Sequence, residues 1–140
     1  PDQLFDRTRK RETSLFGDPG LVVHIGLAEP FCPMLSNLVA TSAEAAGGRI
    51  HRGGTYICIE GPQFSTRAES QIFRSWGVDV IGMTAIPEAK MAREAEIHYS
   101  TLAMSTDYDV WKGEPVNVEM VVANLGKNVD MAKSAVHNLA

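Results

Sequence analysis

Apolar positions fall into two patterns along the chain: short continuous runs, and longer stretches that repeat every three to four residues. Residues 21–25, 55–59, 78–82 and 99–104 are short apolar or mixed apolar-and-small runs, each predicting a strand. Between the first two, Leu35, Leu38, Val39, Ala43 and Ala46 recur at helical spacing behind Pro33, which suits a first turn, and Gly47-Gly48 closes the segment. Residues 50–52, the pair Gly53-Gly54 and residues 55–59 together predict a hairpin. Thr66-x-x-Glu69 has capping-box spacing and predicts a helix that buries Ala68, Ile72, Phe73 and Trp76 before Gly77 stops it. Residues 83–87 lead into another helix ending near Ala95. Asn117 predicts the cap of a long final helix with Val118, Val121, Val122, Leu125, Val129, Ala132 and Val136 facing inward. Gly126 weakens that helix by about 1 kcal/mol relative to Ala. Residues 1–20 are polar and turn-rich, ending in Gly17-Asp18-Pro19-Gly20. Strands alternating with amphipathic helices predict an α/β fold, a twisted sheet flanked by helices; the hairpin makes that sheet mixed.

Composition narrows the class without changing the picture. The 140 residues suffice for one core, with 44% hydrophobic and 21% charged residues, as in soluble globular proteins. A net charge of -4 argues against a general nucleic-acid binder. The basic cluster Arg7, Arg9, Lys10, Arg11 is interleaved with Asp6 and Glu12 and reads as a solvated loop. Cys32 and Cys58 have no metal or redox spacing, and two isolated thiols suit a reducing, cytoplasmic compartment. No apolar run reaches transmembrane length, so no membrane partner is expected. The chain opens Pro1-Asp2-Gln3-Leu4, with neither an initiator Met nor a signal sequence, and reads as starting inside a longer protein.

Candidate chemistry gathers after the strands. The carboxyl ends of strands in open α/β sheets line ligand crevices. Here residues 60–65, 82–84 and 105–109 each follow a predicted strand and carry small or polar residues. Phe64 offers a flat apolar face to an aromatic ligand. Gly82 allows close approach to the backbone, and Thr84 offers a hydroxyl and an N–H near a helix start, favourable for an anion. Asp107 and Asp109 have one residue between them, so an extended backbone points both the same way. Like charges at that range raise one pKa, which makes a proton donor at neutral pH. The same pair also suits a turn, a helix N-cap or a divalent metal, while Phe64 and Met83 also suit a core. His24, inside a predicted strand, suits a structural hydrogen bond as well as a site.

The segment Glu60-Gly61-Pro62-Gln63-Phe64-Ser65-Thr66-Arg67-Ala68-Glu69-Ser70, with Ile81-Gly82-Met83-Thr84 and Thr106-Asp107-Tyr108-Asp109, resembles the trimeric purine nucleoside phosphorylase family. It is most similar to the branch acting on S-methyl-5'-thioadenosine. His24-Ile25 and Ala28-Glu29-Pro30-Phe31-Cys32-Pro33 extend the resemblance over nearly the whole chain. The resemblance implies phosphorolysis of S-methyl-5'-thioadenosine to adenine and 5-methylthioribose 1-phosphate, in purine and methionine salvage. Phosphate is the co-substrate, with no cofactor and no metal. Phe64 is implied to pack on the purine, Met83 to lie under the ribose and Thr84 to contact phosphate. Asp107 faces N7 and Asp109 the exocyclic amine, as catalytic residues. Ser65 and Thr106 line the base pocket, and His24 reaches a neighbouring subunit's site in a homo-oligomer, a trimer in the family. Asp107 with Ser65 favours a 6-aminopurine, because 6-oxopurine relatives carry Asn and Glu there. Family members carry an N-terminal glycine-rich phosphate loop that these residues lack, and some have Asn where Gly82 stands. Residues 1–140 are therefore expected to be the C-terminal part of one nucleoside phosphorylase-like domain, inactive without the missing N-terminal part. A 6-oxopurine or methylthioinosine phosphorylase, a metal-dependent glycosyltransferase using Asp-x-Asp, and an inactive assembly module are the alternative readings.

Overall fold

The computed structural model describes residues 1–17, 20–112 and 118–139. Asn117, the expected cap of the last helix, and Asp18-Pro19 of the expected turn lie outside the described residues. The elements run β1 (Gln3–Arg7), α1 (Pro33–Ala45), β2 (Thr55–Ile59), α2 (Arg67–Ser75), β3 (Val78–Gly82), α3 (Ala85–Glu94), a 3₁₀ turn (Val110–Lys112) and α4 (Val118–His137). The strands form one sheet in the order β1-β2-β3, with both pairings parallel.

β2 explains the layout. Tyr56, Ile57 and Cys58 are buried, as expected of a central parallel strand covered on both faces. Tyr56 and Cys58 pack with Ala85 and Ile86 of α3, and Leu4, Val80 and Ala103 close the cluster. The β2–α2–β3 unit follows the sequence pattern closely. Thr66 Oγ1 accepts from Glu69 N–H at 3.2 Å, and Glu69 Oε2 accepts from Thr66 N–H at 2.8 Å. Such a cap is worth about 1 kcal/mol and fixes where α2 begins.

Four expectations fail, each for a non-local reason. The polar opening segment contains a strand, β1, because its backbone pairs with β2 over Gln3–Thr55 to Arg7–Ile59 regardless of side-chain polarity. Residues 21–25 form no strand among the described residues; Leu21, Val22 and Val23 are exposed. The hairpin is absent, so the antiparallel pair that would have made the sheet mixed does not form. Arg52 instead turns toward α1, with Nη2 2.8 Å from Glu44 Oε2 and Nη1 donating to Asn37 Oδ1 at 3.1 Å. Gly53 and Gly54 have φ of +79° and +98° and pass the chain between the Asp2 and Asp79 carboxylates. Residues 99–104 are extended but not a sheet strand. They are held by Cys32 N–H donating to the Tyr99 carbonyl at 2.8 Å, by Ser36 and Ser100 hydroxyls 2.9 Å apart, and by Phe31 stacked on Tyr99.

Helix positions hold better than helix faces. α2 buries Ser70 and Phe73, while Ala68, Ile72 and Trp76 are exposed; Trp76 leans on Phe5 of β1 and on Phe73. α1 buries Ala40, Ser42 and Ala43 but leaves Leu38 exposed. In α4 only Ala135 is buried among the described residues, and Val118, Val122, Leu125 and Val136 are exposed. The helix rests on α1 through small groups, with the Ser42 hydroxyl donating to the Ala135 carbonyl. A periodic stripe marks apolar positions, but not the surface that covers them. No helix of the described residues is long and apolar enough to cross a membrane.

At Gly82 the packing carries a testable consequence. A Cβ there would collide with the Tyr56 hydroxyl. Gly82→Ala is expected to destabilise the fold by roughly 1–3 kcal/mol, the usual cost of overpacking. Removing the hydroxyl with Tyr56→Phe in the same chain should recover only part of that loss in denaturant titrations, because the ring carbon that bore it still lies 2.5 Å from the added Cβ. Additive losses would show that the contact is not the cause.

Candidate active site

Two of the three strand-following loops touch directly. Gly61 has φ of +68°, a left-handed backbone that glycine adopts without strain. A side chain there would come within 2.6 Å of Met83 Sδ, so Met83 lies flat on the loop that carries Phe64 and Ser65. Phe64 is 63% exposed. Ser65 Oγ is buried and has no hydrogen-bond partner among the described residues.

The third segment is placed by α2 and α4. Ser70, buried on α2, donates its hydroxyl to Asp109 Oδ2, and Val110 N–H donates to Asp109 Oδ1 at 2.8 Å. Asn124 and Asn128 of α4 donate to the Thr106 and Ser105 carbonyls at 2.7 and 2.9 Å. Asp107 Oδ2 accepts from the Thr106 hydroxyl at 2.7 Å. Burial pushes the Asp109 carboxyl above its ordinary range; the Val110 N–H opposes that shift and the Asp107 charge adds to it. Tyr108, between them, is exposed, with the Lys112 ammonium 3.7 Å from its ring centroid.

Two expected site residues fit less well. Thr84 is exposed and its hydroxyl makes no cap bond, but the helix does not begin cleanly beside it. Ile86 has φ of −110° and ψ of 132°, the extended backbone that Pro87 imposes on the residue before it. Regular helical amides therefore start beyond Ile86, and Thr84 lies short of the full dipole end. His24 is exposed in the irregular segment between β1 and α1, and among the described residues no hydrogen bond ties it to the Phe64, Met83 or Asp109 loops. No group of three or more His, Cys, Asp or Glu side chains among the described residues is arranged to hold a metal ion. Cys32 and Cys58 are both free thiols.

Sequence reasoning misses the residues that hold these loops in place. Ser70, one turn beyond the Thr66 cap, has a readable signal as a polar residue on the inner face of an amphipathic helix. Arg11 and Glu60 have none, because they meet across 49 positions of chain. Arg11 is not the solvated residue expected of its cluster: its side chain is 22% exposed, and its Nε lies 3.3 Å from Glu60 Oε1. The Glu60 carboxyl lies below its ordinary range, first because Arg9 and Lys10 N–H groups donate to it, and further because Arg11 does. A carboxylate depressed on folding stabilises the fold above its unfolded pKa and loses that contribution as pH falls through the folded pKa. The stability gap between wild type and Glu60→Gln should therefore be full at neutral pH and close on acidification below the carboxylate range. A gap that stays constant down to the acid transition would rule out this linkage.

The model of the Phosphorylase superfamily matches residues 1–140. The chain belongs to that superfamily. Among its superfamily relatives, S-methyl-5'-thioadenosine phosphorylase of Geobacter sulfurreducens is 53% identical over 140 residues, which is 99% of this chain and 49% of the relative. That of Thermosynechococcus vestitus is 53% identical over 141 residues, covering 97% of this chain and 48% of the relative. The chain thus spans about half the length of the curated relatives it matches. A methylthioadenosine phosphorylase from an antarctic soil metagenomic library superposes with a TM-score of 0.91 at 44% identity, over 99% of this chain and 50% of that one. Methylthioadenosine phosphorylase from Schistosoma mansoni, solved with adenine, gives 0.89 at 32% identity, over 99% and 56%. These superfamily members share the α/β architecture seen here.

Proposed function

We propose that this chain is the base- and sugar-binding portion of an S-methyl-5'-thioadenosine phosphorylase. The observation that carries the reading is the 53% identity to such enzymes over 99% of the chain. The contact of Met83 with the Gly61 turn before Phe64 and the buried, unpartnered Ser65 hydroxyl support it.

In this reading Phe64 stacks on adenine, Met83 supports the ribose, and Ser65 and Thr106 line the base pocket. Cleavage of the glycosidic bond leaves positive charge on the sugar and negative charge on the departing purine. Asp107 donates a proton at N7, and Asp109, held by Ser70 and Val110, meets the exocyclic amine. A positioned acid of this kind contributes roughly 10²–10⁴-fold. Phosphate, contacted by Thr84, captures the sugar at C1', and the reaction uses no cofactor or metal. The enzyme works in the cytoplasm as a trimer in which His24 serves a neighbouring subunit's site. The relatives are about twice as long; in this reading the rest of the phosphate site lies outside residues 1–140, which alone are then inactive. Asp107 beside Ser65 favours adenine over 6-oxopurines.

Phosphate-dependent release of adenine from S-methyl-5'-thioadenosine tests the proposal. A protein with the whole length of the relatives should release adenine, and the inosine analogue should be a poor substrate. Failure to release adenine under saturating phosphate would overturn the assignment.

A further inference from the structure

We propose that Arg11 and Glu60 form a positioning clasp that sets the spacing between two walls of the nucleoside crevice. The proposal rests on the reading of the 60–65 and 83–84 loops as those walls. Neither residue is a wall itself. Arg11 Nη2 donates to the Glu60 carbonyl at 2.9 Å, and its Nη1 donates to the Ile86 carbonyl at 2.5 Å. Its Nε reaches the Glu60 carboxylate at 3.3 Å. The other carboxylate oxygen of Glu60 accepts from the backbone N–H of Arg9 and, at 3.2 Å, of Lys10. One planar guanidinium thus grips the residue before Gly61 and the second residue after Thr84.

The position of the clasp gives it a task. The β2–β3 register runs as far as Cys58–Gly82, and beyond that pair no ladder holds the two chains together. Phe64 and Ser65 lie on one chain past that point, and Met83 and Thr84 on the other. An arginine can bridge them because its donors have fixed directions in one plane; a lysine ammonium is a single point charge on a flexible stem. An exposed ion pair alone would add little. Here the backbone donors of Arg9 and Lys10 also anchor the carboxylate, and Arg11 and Glu60 are only 22% and 33% exposed. The clasp acts through geometry: a wall displaced by about 1 Å costs up to roughly 10²-fold in rate.

The test uses the full-length enzyme with Arg11→Met, Arg11→Lys and Glu60→Gln. Arg11→Met and Glu60→Gln are expected to lower kcat/KM for S-methyl-5'-thioadenosine at least about tenfold, mainly through KM, because the walls bind rather than react. Arg11→Lys should recover only part of that loss. In Arg11→Met, backbone amides of residues 61–65 and 83–86 should exchange hydrogen faster together, while the β2 amides keep their protection. Wild-type KM and unchanged exchange in a folded variant would overturn the clasp, and Glu60→Gln decides if Arg11→Met does not fold. Lack of phosphorolysis by the unsubstituted full-length protein would overturn the functional reading instead. The clasp then stands or falls on the exchange data alone.

Discussion

Asp107→Asn in the full-length enzyme should lower kcat/KM for S-methyl-5'-thioadenosine by about 10²–10⁴-fold at neutral pH. That corresponds to roughly 3–5 kcal/mol of lost transition-state stabilisation, at about 1.36 kcal/mol per factor of ten. Asn has nearly the same shape, so the crevice keeps its form and α4 keeps its hold on the Thr106 and Ser105 carbonyls. In the proposed reading, what disappears is the acid that hands a proton to N7. The amide can still donate a hydrogen bond to a 6-oxo group, so the ratio of activities should also move toward inosine-type substrates. The loss should sit in kcat as well as kcat/KM, because the interaction belongs to the transition state. An unchanged ratio with unchanged kcat would remove Asp107 from the base site. Loss of activity on chelation, rather than on this substitution, would favour the metal-dependent alternative.

Ile57→Ala should cost 2–5 kcal/mol of folding stability, the range for truncating a fully buried aliphatic side chain. Ile57 is 0% exposed at the middle of the central strand, with β1 on one side and β3 on the other. A close-packed centre has little freedom to collapse into the void, which places the loss toward the upper part of the range. The denaturation midpoint should fall with little change in slope, since the surface exposed on unfolding is nearly the same. Trp76→Ala, at a residue 59% exposed, provides the contrast: its loss should be far smaller. Equal losses at the two sites would mean that β2 is not the centre of the core.

The elements were largely legible in the sequence because their signals are local. The Thr66-x-x-Glu69 box placed the start of α2 at the residue where the cap is seen. Pro33 and the Gly47-Gly48 pair bracketed α1, and the apolar runs at 55–59 and 78–82 became β2 and β3. The chain order that set Phe64, Met83 and the Asp107–Asp109 pair after successive apolar segments also pointed to one crevice, and Gly61 and Met83 do meet. Segment 99–104 shows the limit of that logic. It brings Asp109 to the Ser70 hydroxyl of α2 while hydrogen-bonding to the start of α1 rather than to the sheet.

Local spacing in the sequence was enough to specify the α/β class, the helix positions, strands β2 and β3 and the acidic pair. Tertiary structure alone decided that the polar residues 3–7 pair as a strand, that no hairpin forms at Gly53-Gly54, and that α4 leaves most of its valines uncovered. It also decided that burial pushes the Asp109 carboxyl upward, and that Arg11 closes on Glu60 and Ile86. The reason is common to all of these. Periodicity reports what a segment prefers within a turn or two, whereas pairing, burial and proton affinity depend on which distant groups arrive beside it.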